Sequence, residues 1–113
     1  MEENIKINSN KDNVSVGLIF NNTISIANID HIADGRWWIS RVNVQGYEKG
    51  SGIGSKLLKK AIEEVFKQDA LANIIVAPGG YDNETEKQFN FYKKNGFIDS
   101  DEKGLLIYKS PNK

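Results

Sequence analysis

The chain has 113 residues, and its 15 lysine and arginine residues balance 15 aspartate and glutamate residues. This length suits one domain over residues 1–113, and zero net charge argues against a broad surface for nucleic acid or acidic lipid. The absence of cysteine excludes disulfides, a thiol nucleophile and a cysteine-based zinc site. Because the chain has a single histidine, we expect no histidine-rich metal site either. The polar N-terminus is unlike a signal peptide and no apolar run is long enough to span a bilayer, so we expect a cytoplasmic protein without a membrane partner.

Alternating apolar residues predict an antiparallel meander in the first part of the chain. We expect a short edge strand and then three strands, at Asn4–Ile7, Val14–Phe20, Thr23–Ile29 and Trp37–Val44. Tight turns are expected at Asn21–Asn22 and Asp34–Gly35, because Asn and Gly tolerate a positive φ.

From Ile53 onwards the apolar residues recur at the spacing of a helix. An amphipathic helix is expected from Ile53 to Phe66, followed by a buried strand at Ala72–Ala77. Asn83 and Glu86 resemble a capping box, which predicts a second helix over Glu84–Asn95 that Gly96 ends. Short strands are expected at Phe97–Ile98 and Leu105–Tyr108. The order after the edge strand is β-β-β-α-β-α-β-β, with the strands on either side of the first helix parallel.

A glycine-rich segment, Val44–Ser55, joins the last meander strand to the first helix. Its glycines are Gly46, Gly50, Gly52 and Gly54. Glycines let successive backbone N–H groups point into one concavity, and the N-terminus of a helix adds unpaired N–H groups and partial positive charge. The segment therefore predicts a site for a phosphate or pyrophosphate, which a chain of zero net charge can bind locally.

The spacing of these glycines does not match the common nucleotide-binding loops. A Walker loop requires Lys directly after its last Gly, whereas Ser55 follows Gly54. A dinucleotide fingerprint requires G-x-G-x-x-G in a βαβ unit, whereas this chain has G-x-G-x-G after a meander. A connection without a ligand is disfavoured as well, because alternating glycines cost conformational entropy without an evident packing reason.

Two segments resemble the GCN5-related N-acetyltransferase (GNAT) family. The family's loop signature, Arg/Gln-x-x-Gly-x-Gly/Ala before an apolar helix, is similar to Lys49–Gly54 (KGSGIG). The family's FYxKxGF helix end is similar to Phe91–Phe97 (FYKKNGF). The segments occur in the family's order with a buried strand between them, and the resemblance covers Trp37–Phe97.

The resemblance implies an α/β (α+β) fold with a mixed, mostly antiparallel sheet and helices on both faces. It also implies acetyl-CoA as donor, with the pantetheine in a V-shaped gap between Trp37–Val44 and Ala72–Ala77, paired with backbone near Val42 and Val44. Tyr92 would protonate or hydrogen-bond the departing CoA thiolate. The residues that the resemblance assigns to the pyrophosphate are Lys49, Gly50, Ser51, Gly52, Ile53, Gly54 and Ser55.

The chain departs from the family pattern at Lys49, where Arg or Gln is commoner, at Gly46, where Pro is common, and in two larger features. Family members usually carry two helices between the first two strands, and the interval between Ile7 and Val14 is too short for them. Trp37–Val44 contains no Asp or Glu, so the catalytic carboxylate that some members have there cannot be carried over. Asp82 is the best placed of the other candidates for a general base, and a water relay or a neutral amine are alternatives. The remaining candidates, expected to be surface, loop or capping residues, are His31, Asp34 and Glu48.

These observations favour an acetyl-CoA-dependent N-acetyltransferase that moves the acetyl group directly to a primary amine. The missing helices indicate an open acceptor side, which favours a peptide or protein amine, or a homodimer in which a second subunit completes the pocket. A small free amine is the rival acceptor. The alternative outside the enzymes is a catalytically weak sensor or interaction module that binds CoA or acetyl-CoA.

Overall fold

The computed structural model describes residues 4–20, 22–44, 52–78 and 84–111, in which the chain forms a seven-stranded sheet and two helices. The elements are β1 (Asn4–Ser9), β2 (Asn13–Phe20), β3 (Thr23–Ala33), β4 (Arg36–Asn43), α1 (Ile53–Gln68), β5 (Asn73–Val76), α2 (Glu84–Lys94), β6 (Ile98–Asp99) and β7 (Leu106–Lys109). The strand order is β1-β2-β3-β4-β5-β7-β6, and only β4 and β5 pair in parallel among these neighbours. The element order and the mostly antiparallel sheet confirm the predicted fold class.

Strand β3 is longer than the sequence pattern predicted. It continues past Ile29 to Ala33, whereas the apolar alternation stops at Asp30. The Asp30 carboxylate accepts a hydrogen bond from Asn13 Nδ2 at 2.6 Å, so the neighbouring strand satisfies this polar side chain within the sheet. A pattern of apolar residues cannot show such a pair, because the two partners lie on different strands.

The turns and the end of α2 have the backbone conformations that the sequence predicted. Asn22 has a φ of 61° between β2 and β3, and Gly35 has a φ of 68° between β3 and β4. Gly96, with a φ of 98°, follows α2 in the left-handed conformation that commonly ends a helix. Asn21 of the first turn and Asn83 of the predicted capping box lie outside the described residues.

One face of the sheet is buried against α1. The strand residues on this face are Val14, Val16, Leu18, Ala27, Ile29, Trp37 and Ile39, all at most 5% exposed. They pack with the apolar face of α1, which presents Leu57, Leu58, Ala61 and Val65. The alternate positions of β2 and β3 form the opposite face and are half-buried or exposed.

Both helices lie on this same face, so the expectation of helices on both faces is wrong. A chain of aromatic contacts joins them: Phe66 of α1 lies 5.9 Å from Tyr108, Tyr108 lies 5.4 Å from Phe97, and Phe97 lies 5.3 Å from Tyr92 of α2. The cause is topological. The connections β4–α1–β5 and β5–α2–β6 advance in the same direction across the sheet, and the right-handed crossover rule then places both helices on one side.

Three residues, numbers 10 to 12, connect β1 to β2, so the chain has no helix at the place where the family usually has two. Within the described ranges, no helix is both long and apolar enough to cross a membrane.

Candidate active site

Strands β4 and β5 separate along their length. Their parallel pairing joins Arg36–Trp38 to Asn73–Ile75 and goes no further. Beyond it β4 continues to Asn43, while Val76 at the end of β5 pairs with Leu106 on its other side. Two strands that stop pairing while both continue leave backbone N–H and C=O groups directed into the gap between them.

A β-bulge interrupts the pairing of β4 with β3, just beyond the last residue of β4 that pairs with β5. Asn28 of β3 is opposite Arg41 while the next pair is Ile29 with Ile39, so Ser40 is an extra residue in β4. The Ser40 hydroxyl donates to the Asn28 carbonyl oxygen at 3.1 Å and accepts a hydrogen bond from Asn28 Nδ2 at 2.5 Å. The bulge therefore has its own side-chain support and bends β4 where it leaves β5.

The gap opens into a cavity of about 430 Å³ between the strand ends and α2. Its lining residues are Ile39, Ser40, Arg41, Val42, Val76, Ala77, Lys87, Gln88, Phe91 and Tyr92. No Asp or Glu is among these described lining residues. The cavity thus combines an apolar wall, strand backbone beyond the last β4–β5 pair, a phenol and two cationic side chains.

Tyr92 presents a buried phenol to this cavity. Its side chain is 6% exposed and packs edge to face against Phe91 and Phe97, with ring centroids 5.1 and 5.3 Å away. Burial raises the pKa of Tyr92 from 10.0 to about 12, because the phenolate would lose its hydration. The hydroxyl is therefore protonated at neutral pH and can donate a proton or a hydrogen bond.

The N-terminus of α1 carries backbone N–H groups that the helix itself does not use. Gly52 is the N-cap, with a φ of 81°, and its carbonyl accepts the first helical hydrogen bond from the Lys56 N–H at 3.0 Å. Ile53, Gly54 and Ser55 form the first turn, whose N–H groups have no intrahelical acceptor. Three of the predicted pyrophosphate residues, Lys49, Gly50 and Ser51, lie outside the described residues.

Gly54 also has a packing role that the sequence did not reveal. A Cβ on Gly54 would lie 3.3 Å from the Phe91 ring and 3.5 Å from Val44, so the missing side chain lets α2 approach the start of α1. Asn95, just after α2, strengthens this contact by donating from Nδ2 to the Ser55 hydroxyl at 3.1 Å and to the Phe91 carbonyl oxygen at 2.8 Å. These contacts hold the two helix ends beside the cavity.

The sequence comparison identifies the family of this fold. The family model described as "Acetyltransferase (GNAT) family" matches residues 10–97, well over half of the chain. The chain belongs to the GNAT acetyltransferase family. A search among curated proteins gives no significant match.

Solved structures share the fold of this GNAT-family chain. The PaiA N-acetyltransferase of Thermoplasma acidophilum, in complex with coenzyme A, has a TM-score of 0.69 at 22% identity over 87% of this chain and 61% of its own. A GNAT acetyltransferase of Elizabethkingia anophelis with bound acetyl-CoA has a TM-score of 0.68 at 20% identity, over 87% and 76%. A Bacillus subtilis acetyltransferase in complex with CoA has a TM-score of 0.68 at 16% identity, over 96% and 99%. This chain therefore spans about three fifths of the length of the Thermoplasma protein.

Two of the residues assigned to the donor are valines near the end of β4. Val42 lines the cavity, whereas Val44 is not among its described lining residues and is 38% exposed. The sequence did not single out four other lining residues, Arg41, Lys87, Gln88 and Phe91. Phe91 could have been found, because it belongs to the FYKKNGF segment. The others carry no sequence signal, because the bulge and the position of α2 bring them to the cavity.

Two candidate bases lie away from the cavity of this GNAT-family chain. His31 packs on Trp37, with ring centroids 5.0 Å apart, and is opposite Trp37 in the register, where β4 is still paired with β5. Asp34 is exposed in the β3–β4 turn at the same end of the sheet. The other two candidates, Glu48 and Asp82, lie outside the described residues. Among the residues described, no three metal-ligating side chains come together.

Proposed function

We propose that this GNAT-family protein transfers the acetyl group of acetyl-CoA directly to a primary amine. The observation that carries this proposal is the gap between β4 and β5, with the buried phenol of Tyr92 on its wall. The related folds from Thermoplasma and Bacillus contain CoA, and that from Elizabethkingia contains acetyl-CoA, which supports the same donor substrate here.

The residues around the gap suit each part of this donor. The pantetheine arm contains amide groups, and the unpaired backbone of β4 near Val42 and Val44 can bind them as a sheet edge binds an added strand. The pyrophosphate suits the N-terminus of α1, where the N–H groups of Ile53, Gly54 and Ser55 and the helix dipole favour an anion. In this proposal the segment from Lys49 to Ser51 completes that anion site with Gly52.

The proposed transfer is a direct attack on the thioester. The lone pair of the neutral amine forms a bond to the thioester carbon, giving a tetrahedral intermediate, and the C–S bond then breaks. The Tyr92 hydroxyl donates its proton to the departing CoA thiolate. The proton released by the amine nitrogen passes to solvent, and the Tyr92 phenolate then takes a proton from solvent. Tyr92 can take this role because it lines the cavity and because its hydroxyl, like that of an ordinary tyrosine, is protonated at neutral pH.

The charge of the cavity supports an amine that arrives in its neutral form. None of its described lining residues is a carboxylate, so water takes the proton in this scheme. Because the family's two additional helices are missing beside β1, the acceptor in our proposal is a peptide, protein or small amine that enters from an open side, or one that a second subunit helps to enclose.

A matched pair of glycine variants tests donor binding. Gly52 and Gly104 have φ values of 81° and 85°, and a Cβ on either would meet no atom within 4 Å. Gly52→Asp and Gly104→Asp therefore add similar strain and the same charge, but only Gly52 caps α1. We expect calorimetry to show at least a tenfold weaker acetyl-CoA affinity for Gly52→Asp and no change for Gly104→Asp. Equal affinities in the two variants, or stabilisation of the wild type by ATP and not by acetyl-CoA, would contradict the proposal.

A second candidate function is a CoA-binding module without efficient turnover. The observation that favours it is the lack of a carboxylate among the described lining residues of the cavity. Incubation with acetyl-CoA and a panel of peptides, polyamines and amino acids distinguishes the two functions, with free CoA as the readout. Tight acetyl-CoA binding without acceptor-dependent CoA release would favour the module.

A further inference from the structure

We infer that Arg41 binds a carboxylate of the acceptor, so that this protein acetylates amines that carry an anionic group close to the reacting nitrogen. This inference rests on the proposed acetyl transfer and names its substrate class. Arg41 is exposed, and it lines the cavity at the point where β4 has left β5.

The bulge determines where the Arg41 side chain lies. Along a regular strand, alternation from the buried Ile39 would return residue 41 to the face covered by α1. The extra residue Ser40 changes this alternation, so that Val42, opposite the buried Ala27, takes the covered face instead. The bulge therefore keeps the Arg41 side chain out of the core, and Arg41 is exposed and is one of the residues that line the cavity.

The two arginines of the chain differ in their partners. Arg36 lies at the paired end of β4 and forms an ion pair with Glu102, with an N–O distance of 3.4 Å. Arg41 has no ion pair with any residue that the structure describes. A guanidinium has five N–H donors in a planar fork that matches a carboxylate, so Arg41 has unused capacity for an anion.

The charge of the cavity wall favours an anionic acceptor over a cationic one. Arg41 and Lys87 are the charged residues among its described lining residues, and both are cations. Lys87 makes an interaction of its own, so the inference depends on Arg41. A polyamine would bring further positive charge towards this wall, whereas a carboxylate beside the amine would pair with Arg41. Nearby cations also favour the neutral form of an amine, which is the form that attacks.

Matched peptides and matched arginine variants test this inference. The probes are pairs of tetrapeptides with a free N-terminus, identical except for glutamate or glutamine at the first, second or third position. For each pair we would measure the affinity of the protein, with and without CoA, and kcat/KM from acetyl-CoA. The proteins are the wild type, Arg41→Gln, Arg41→Lys and Arg36→Gln, the last removing the same charge at the other end of β4.

We expect the wild type to prefer the glutamate member of at least one pair by about tenfold, the scale of a hydrogen bond to a charged group. The preference should fall to about one in Arg41→Gln, survive in part in Arg41→Lys and be unchanged in Arg36→Gln. The glutamate-to-glutamine ratio of one peptide pair is compared between protein variants, so the intrinsic reactivity of each amine cancels.

Three results would overturn the inference: no preference in the wild type, a preference that persists in Arg41→Gln, or a loss of acetyl-CoA affinity in Arg41→Gln with acceptor selectivity unchanged. The last would assign Arg41 to the donor. Failure of acetyl-CoA to bind, or of CoA to be released with any acceptor, would instead contradict the proposed function, and the affinities of the peptide pairs would still test Arg41.

Discussion

Tyr92 is the residue on which the proposed proton transfer depends. Its ring packs between Phe91 and Phe97, the residue is buried, and it is one of the residues that line the cavity. The same packing would also suit a purely structural aromatic residue. Only measurements that separate binding, turnover and stability distinguish these two roles.

Replacement of Tyr92 by phenylalanine removes the hydroxyl and keeps the ring contacts. If Tyr92 protonates the CoA thiolate, kcat should fall by roughly 100-fold, the lower end for a general acid, while the acetyl-CoA affinity stays within about twofold. Steady-state CoA release and calorimetry check the two quantities. An unchanged kcat would remove the catalytic role and leave the structural one.

The raised pKa of Tyr92 also predicts an alkaline loss of stability. Between pH 10.0 and about 12 the tyrosine ionises in the unfolded chain but not in the folded one, so the unfolded state binds fewer protons. The free energy of unfolding should therefore be unaffected by this group below pH 10 and fall as the pH rises from 10 to 12, by about 2 to 3 kcal/mol. Urea unfolding of the wild type and Tyr92→Phe across this range measures the difference. Parallel curves for the two proteins would contradict the shift.

At the scale of the elements, the end of α2 depends on one close contact. Gly96 has a φ of 98°, and a Cβ there would lie 2.9 Å from Tyr108 Cε2 of β7. The glycine therefore serves two purposes: it adopts the left-handed conformation that ends the helix, and it leaves room for the Tyr108 ring.

Alanine substitutions can separate these two purposes. Gly104 has a similar φ of 85°, and a Cβ there would meet no atom within 4 Å. Gly104→Ala should cost about 1 kcal/mol for strain alone, and Gly96→Ala about 2 to 3 kcal/mol because it adds a clash with Tyr108. Thermal and denaturant unfolding give both values. Equal losses would show that Tyr108 moves aside freely.

At the scale of the whole molecule, the fold has two layers. Its smallest dimension is 20 Å, which fits one sheet and one layer of helices at about 10 Å each. The core therefore lies on one side of the sheet, and the two sides should respond differently to mutation.

Two isoleucines of β3 test this asymmetry. Ile29 is completely buried under α1, whereas Ile24 lies on the opposite face and is 56% exposed. Ile29→Ala should lower the free energy of unfolding by about 3 kcal/mol, because it leaves a cavity in the core, and Ile24→Ala by less than about 1 kcal/mol. Denaturant unfolding measures both changes. A large loss at Ile24 would mean that the second face is covered in solution.

The sequence by itself determined most of the elements, and it predicted an anion site at the glycine-rich segment. Alternating residues specify strands, the spacing of Leu57, Leu58, Ala61 and Val65 specifies α1, and positive φ at Asn22 and Gly96 follows from residue type. These are local properties, since each depends on neighbours along the chain. The two motifs that pointed to the GNAT family are also local, and the family match confirmed them.

The tertiary structure decided what depends on contacts between distant parts of the chain. It placed both helices on one face, because two successive right-handed crossovers advance in the same direction. It assigned Gly54 a contact with Phe91, and it placed Arg41 at the cavity through a bulge that Asn28, on another strand, supports. No local pattern records these contacts, because each is made by residues that only the folded sheet brings together.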